Sequence, residues 1–214
     1  MPLFATDALI LRTYSLGESD RLVVFLTRDR GKKRGVAKNA RQSRRRFGGA
    51  LEPMTCGRVT YREQERRDLV FLQDVAPTRS PLSAVDGEAL GYVGYFAELI
   101  DECALENDPS EPLFRLGESM VEAMATGVPI EPLARYFEYW LLRLQGVYHT
   151  DPRTSLDARR FLDAARLSSP RGLADVPAPT RVLLELERAH RAQIAAHLEK
   201  ELKSARVLRD IGRH

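Results

Sequence analysis

The pattern of apolar and polar positions changes period once along this chain. Up to about residue 75 the apolar residues come in short runs. Phe4–Tyr14 (FATDALILRTY) and Asp20–Thr27 (DRLVVFLT) are rich in Leu, Val, Ile and Phe, and the polar, Gly-bearing segment SLGES separates them. They predict two consecutive antiparallel strands. Val36 and Ala37 predict a short third strand inside a basic stretch, and Ala50–Arg62 predicts a longer one bent at Pro53 and Gly57. Val59 and Tyr61 alternate there with Arg58, Thr60 and Arg62, so one face is apolar and the other basic. Leu69–Val75 predicts the last strand. About five short strands suit a small, partly closed barrel, either an OB-fold or an SH3-like barrel.

The prolines of PTRSPLS, Pro77 and Pro81, mark a boundary between residues 1–80 and 81–214. Beyond it the period becomes helical. Leu82, Val85, Leu90, Val93, Phe96, Leu99, Ile100 and Cys103 recur at close to one helical turn, predicting a helix over Leu82–Leu105 that ends at Asn107-Asp108-Pro109. Ser110 is placed to cap a second helix, with Pro112 in its first turn and Gly127 closing it. A third, Glu131–Gln145, carries Leu133, Phe137, Trp140, Leu141 and Leu144, and is expected to run through the centre of the helical core. Thr154 and Asp157 resemble a capping box opening a short helix through Leu167. Thr180 is placed to cap a long final helix from Arg181 to about Lys203. The expected class is α+β, a β-barrel followed by an all-helical part.

Charge changes this picture more than composition does. The stretch Arg28–Arg46 (RDRGKKRGVAKNARQSRRR) holds ten basic residues against one acid, Asp29, a local +9 in a chain whose total is +3. Residues 1–80 balance at +8, residues 81–150 at −9 and residues 151–214 at +4. Such asymmetry suggests a basic module that meets a polyanion and an acidic body that does not. The bland alternative is a solvated loop. Gly31, Gly35 and Asn39 are expected to let the stretch bend around a partner. Lys32, Lys33, Arg34, Lys38, Arg41, Arg44, Arg45 and Arg46, with Arg62, Arg66 and Arg67, are the candidate phosphate contacts. Tyr61 and Phe47 are candidates for stacking on bases, whereas Phe25 and Phe71 fit a core better. Glu63 and Glu65 fit charge partners of Arg62, Arg66 and Arg67.

No catalytic frame is present. There is no GxxxxGK[ST], GxSxG, HExxH or CxxC, and His149, His190, His197 and His214 do not cluster with acids at metal spacing. Cys56 and Cys103 stand far apart in apolar runs, which favours two free thiols. The first residues, MPLFATDALIL, lack the marks of a signal peptide, and no run reaches the ~18–20 apolar residues of a membrane span. The expectation is a soluble, cytoplasmic and non-enzymatic protein.

In order along the chain, several segments resemble the bacterial recombination mediator family RecO. They are Gly31, then Val36-Ala37-Lys38-Asn39-Ala40-Arg41 with Ser43, then Leu51 and Pro53; Tyr95-Phe96-Ala97-Glu98-Leu99-Ile100; Arg135-Tyr136-Phe137-Glu138; and Leu202-Lys203-Ser204-Ala205-Arg206. The family has Gly in the place of Asn39, and Asn is well suited to the left-handed backbone that such a Gly adopts. The resemblance implies an N-terminal OB-fold, binding and annealing of single- and double-stranded DNA, and help in loading the recombinase during RecF-type gap and double-strand-break repair. It also implies partnership with RecR and with the C-terminal tail of single-stranded-DNA-binding protein, and a nucleoid-associated location.

Many members of that family carry a four-cysteine zinc module after the third large helix. The corresponding interval here, Tyr148–Pro179, has no cysteine, so no zinc is expected. A pocket for an acidic tail ending in apolar residues needs an apolar floor with an Arg at its rim. Arg135, Tyr139 and Arg143 are the candidates, against an ordinary ion pair of Arg135 with Glu131 or Glu138. Lys200, Lys203, Arg206 and Arg209 are candidate accessory DNA contacts. The competing function is a docking adaptor whose basic stretch meets an acidic peptide in place of DNA.

Overall fold

The computed structural model describes residues 1–64, 68–84 and 87–211, without the side chains of Arg44, Ser83, Glu88 and residues 209–211. Strands β1 (Leu3–Leu16), β2 (Asp20–Thr27) and β3 (Gly31–Ala37) are followed by a helical turn, α1 (Arg44–Phe47), and then by β4 (Cys56–Arg62) and β5 (Leu69–Arg79). They close into a barrel in the order β1-β2-β3-β5-β4, antiparallel throughout except for the parallel β3–β5 pair. This is the OB-type barrel, and it decides between the two barrels that the strand pattern left open. Six helices follow: α2 (Gly87–Cys103), α3 (Glu111–Ala125), α4 (Ile130–Leu144), α5 (Leu156–Leu167), α6 (Thr180–Leu198) and α7 (Lys203–Ile211). Among the described residues no helix is long and apolar enough to cross a membrane.

The unbroken apolar runs in β1 and β2 arise because both faces of these strands are buried. Ala8, Ile10, Val23 and Phe25 point into the barrel with Tyr61, Val59, Val70 and Leu72. Their alternates Leu9, Leu11, Val24 and Leu26 point outward into the core of the helices, beside Leu99, Ile100, Leu113 and Phe114. Gly117 of α3 makes the approach close, since a Cβ there would stand 2.6 Å from Leu9 Cδ2. Phe47, on α1, plugs one end of the barrel and is 3% exposed.

Four boundaries differ from expectation. β3 begins at Gly31, five residues before Val36, because its basic side chains stand on a face that meets acids of the helices. The segment before β4 is not strand: Met54 takes a left-handed φ of 59°, and regular pairing starts only at Cys56. β5 runs on through Pro77 to Arg79. Beyond Leu72 it pairs with β4 alone, and such an edge tolerates proline. The expected last helix is broken by Glu199, left-handed at φ 53°, into α6 and α7. Two caps also shift. Ser155, not Thr154, caps α5 by accepting from the Ala158 N–H at 3.2 Å, and Pro179 precedes α6 with Thr180 inside it.

In the helical core, α4 is buried almost all round, although Trp140 itself lies at its rim and donates Nε1–H to the Ala165 carbonyl at 3.3 Å. A buried polar cluster ties α2, α4 and α6. Glu138 Oε1 accepts from the Tyr95 hydroxyl at 2.8 Å and meets Arg135 Nη2 at 3.0 Å, while its Oε2 lies 3.1 Å from His190 Nδ1. Burial pushes the Glu138 carboxyl up, but Arg135, His190 and the Tyr95 hydroxyl outweigh it and hold the group below its ordinary value.

Two outcomes test this packing. Gly31 has φ +69°, and a Cβ there would lie 2.4 Å from the Asp108 amide nitrogen, whereas Gly17, at φ +63°, faces open space. Gly17→Ala should cost about 1–2 kcal/mol from backbone conformation alone. Gly31→Ala should cost about 1–3 kcal/mol more from the clash, read by urea unfolding of both variants. Glu138→Ala leaves Arg135 buried without its main partner and should lose about 3–5 kcal/mol. Because the folded carboxyl lies below the unfolded value of about 4.3, its stabilisation is complete above that pH. It is lost as pH falls through the lower folded value, so Glu138→Gln should show a smaller acid-driven loss than the wild type.

Candidate nucleic-acid interface

The basic stretch divides at the end of β3. Its first half is docked onto the helices. Arg28 reaches Glu118 at 3.4 Å and Asp7 at 3.5 Å and lies over the Phe114 ring, while Arg30 lies over Phe4, 3.9 Å from the centroid. Lys32 Nζ donates to the Asp101 carbonyl at 2.6 Å and pairs with its carboxylate at 3.1 Å. Lys33 pairs with Glu63 at 2.7 Å and donates to Asn107 at 2.8 Å, and Arg34 stands 3.9 Å from Glu106. Arg12, from β1, joins the same acids, 2.6 Å from Asp101 and 3.3 Å from Glu102. These acids crowd the C-terminal turn of α2, where the helix dipole already favours cations. Arg12 and Lys32 therefore compensate the carboxylates and the dipole together. Lys32 and Lys33, offered by the sequence as phosphate contacts, are mostly buried, Lys32 against Asp101 of α2 and Lys33 between Glu63 of the barrel and Asn107.

The second half is different. No carboxylate lies within ion-pair distance of Lys38, Arg41, Arg45 or Arg46 among the described residues. The side chain of Arg44, with Arg66 and Arg67, lies outside the described residues, as does Glu65. Asn39 turns the chain with φ 54°, the left-handed conformation expected of it, and its N–H donates to Asp20 at 2.8 Å. Arg46 lies over the Phe47 ring and donates to the Lys38 carbonyl at 2.8 Å, which folds α1 back over the barrel end. Lys38 and Arg45 remain exposed.

On the outer face of β3, β5 and β4, Arg62 likewise has no carboxylate in ion-pair distance among the described residues. Arg62 is paired in register with Phe71, and Lys38 Nζ stands 5.5 Å from the centre of that ring. Phe71 is half-buried on the outside of the barrel, although its sequence suggested core. The two aromatics favoured for stacking are instead interior. Tyr61 is fully buried between Phe4 and Phe25, its hydroxyl has no partner, and burial pushes that hydroxyl up to about 12. Phe47 is the barrel plug. The alternation in β4 is the signal that places Tyr61 inside, and Phe71 follows by register.

Of the three residues expected to form the tail pocket, Arg135 and Tyr139 are buried. Arg135 is 4% exposed and paired with Glu138 and Glu187, the ordinary ion pair weighed above, and Tyr139 is buried under the exposed Arg143. A cavity of about 250 Å³ elsewhere meets the stated requirement. Its floor is Tyr95, Ile194, Leu202 and Ala205, and Arg191 and Lys200 stand at its rim. Both rim cations also hold acids, Glu187 and Glu102 respectively. Lys200 thus serves to pin the C-terminal segment. Glu98 completes this by accepting from the N–H groups of Lys203 and Ser204 at 3.2 and 2.7 Å, at the start of α7. Lys203 and Arg206 are exposed on α7, which packs on α2, and the side chain of Arg209 lies outside the described residues. Among the described residues no group of three His, Cys, Asp or Glu is placed to hold a metal ion.

Comparison with known proteins places this geometry in a family. Two family models match, Recombination protein O N terminal over residues 1–81 and Recombination protein O C terminal over residues 84–150. The chain is similar to the DNA repair protein RecO of Koribacter versatilis (strain Ellin345), 43% identical over 142 residues, which are 66% of this chain and 58% of that protein. It is also similar to the RecO proteins of Anaeromyxobacter sp. (strain K), 40% identical over 152 residues covering 70% and 58%, and of Geobacter metallireducens, 39% identical over 154 residues covering 71% and 60%. The chain thus matches about three fifths of the length of these curated relatives. With both matching models in order along most of its length, and with the OB-type barrel joined to helices, the chain belongs to the RecO family.

Proposed function

We propose that this protein is a non-enzymatic DNA-binding mediator of repair and recombination, holding DNA on the uncovered side of its barrel. The observation that carries this is the division of the basic stretch. Most of its first half is paired with acids of the helices or with Glu63, while among the described residues Lys38, Arg45 and Arg46 have no carboxylate in ion-pair distance and share the barrel with Arg62 and the half-buried Phe71. Such a surface neutralises phosphates with little preference for sequence, and a half-buried outer ring among cations is placed to stack on an unpaired base.

Membership of the RecO family supports the finer reading. In it the protein binds single and double strands, anneals complementary strands, and helps load the recombinase onto DNA coated by single-stranded-DNA-binding protein. RecR and the tail of that protein are the proposed partners. The cavity floored by Tyr95, Ile194, Leu202 and Ala205 is the proposed seat of the tail, its apolar end on the floor and its carboxylate toward Arg191 and Lys200. No zinc is required in this scheme, and elemental analysis of the pure protein should find none at stoichiometric level.

Lys38, Arg45 and Arg62 are the residues to change, since all three are exposed and none supports the core. If about four charges meet phosphate, duplex affinity should fall with salt at a log–log slope of about −3.6. Lys38→Ala/Arg45→Ala/Arg62→Ala should reduce the size of that slope by about 2 to 3 and weaken binding to both DNA forms, with an unchanged melting curve. Wild-type affinity and slope in the triple variant, measured by fluorescence anisotropy, would remove DNA from this face and favour an acidic peptide there.

A further inference from the structure

The end of the barrel that Phe47 plugs carries a surface cleft of about 870 Å³ that the DNA-binding reading does not use. Its floor is apolar: Phe47, Leu51 and Ala40, with the Thr13 hydroxyl already committed to the Leu51 carbonyl at 2.6 Å. Two guanidinium groups stand at its rim. Arg21 Nη1 and Arg41 Nη2 both donate to the same acceptor, Ser15 Oγ, at 2.8 and 3.0 Å, and Arg41 Nη1 donates to the Glu18 carbonyl at 3.0 Å. Two like charges are thus held together by neutral acceptors, with no carboxylate in ion-pair distance of either among the described residues. Each guanidinium has five N–H donors, so most remain free for an anion, and a phosphate accepts such donors two at a time.

Other titratable groups nearby include Glu18, whose carbonyl Arg41 already engages, Asp20 and Glu52. Asp20 is engaged by the Asn39 N–H and the Ser19 hydroxyl, while Glu52 lines the cleft. A phosphate is therefore repelled from the Glu52 side and drawn to the arginine side. What fits between is flat and apolar, with hydrogen-bonding edges. The cleft lies within the size range of small-ligand sites. Gly48 and Gly49 form part of the wall and keep it open without side chains.

We propose that this cleft takes one unstacked nucleotide of a single strand, its base over Ala40 and Leu51 and its phosphate between Arg21 and Arg41. This rests on the DNA-binding reading above and deepens it. A base held in a duplex stays in its stack and cannot enter, so the cleft contributes to single-strand binding alone. The outer face around Phe71 carries what both forms share.

Two variants test the assignment against the wild type, using a dT oligonucleotide and a duplex of equal length at one salt concentration. Arg21→Ala/Arg41→Ala should weaken single-strand binding at least about tenfold and duplex binding less than about threefold. Ala40→Phe fills the cleft without changing charge and should give the same selective loss; circular dichroism on heating checks that both variants stay folded. Equal losses for both DNA forms, or full single-strand affinity in Ala40→Phe, would overturn the cleft while leaving the DNA-binding reading intact. Displacement of the oligonucleotide by stoichiometric free deoxynucleoside monophosphate would also overturn it, assigning the cleft to a small ligand. A wild type that binds neither form would sink both readings together.

Discussion

The seating of α2 and α3 on the outside of β1 and β2 is the constraint from which the rest of the structure follows. Leu9, Leu11, Val24 and Leu26 are buried there, each worth about 1.5–3 kcal/mol relative to exposure. The ion pairs around the same contact, Arg28 with Glu118 and Arg34 with Glu106, are partly exposed and long, and such pairs contribute about 0–1 kcal/mol each. Apolar burial therefore holds barrel and helices together, and the charges refine that contact. Because helices cover one side of the barrel, the β3–β5–β4 side and the end plugged by Phe47 remain for a ligand.

The charges do something else. The acids at the end of α2 sit where the first half of the basic stretch arrives, so that half is spent on neutralising them. The second half passes beyond their reach, over the tip between β1 and β2. At physiological salt a field decays within about 8 Å, so acids of the helical body do little to cancel Lys38, Arg45 or Arg62. A polyanion approaching the molecule meets a cationic barrel end and an anionic helical side. That polarity orients it, and it arises from where one nineteen-residue stretch changes partner.

Much of this was legible in the residues. The continuous apolar runs of β1 and β2 indicate strands buried on both faces, and the alternation Val59, Tyr61 in β4 indicates an inside and an outside. The helical period and the prolines located α2 to α4 within a few residues. What escaped depends on partners distant in the chain. β3 looks like loop because Lys32, Lys33 and Arg34 find their partners at Asp101, Glu63 and Glu106. Gly35 looks like a hinge, yet it is glycine because a Cβ would lie 1.9 Å from Leu72 Cδ1 inside the barrel. Glu199 breaks the last helix with a residue type that carries no stop signal. For Arg135 the pair with Glu138, three residues on, was legible beside the rim role, whereas Glu187 and His190, about fifty residues away in the chain, were not.

The packed interior then limits how DNA can be held. Phe25, Tyr61 and Phe47 fill the barrel, and the unpartnered Tyr61 hydroxyl lies too deep to meet a ligand. Nothing enters the barrel itself. Contacts must be peripheral, made by long cationic side chains whose geometry is adjustable and whose energy is mostly counterion release. Such contacts hold many sequences equally well, which suits the proposed DNA-binding role. Discrimination between paired and unpaired strands has to come from a feature that only a free base can use. Around this barrel, the half-buried ring of Phe71 and the cleft between Arg21, Arg41 and Phe47 are the two places with that character.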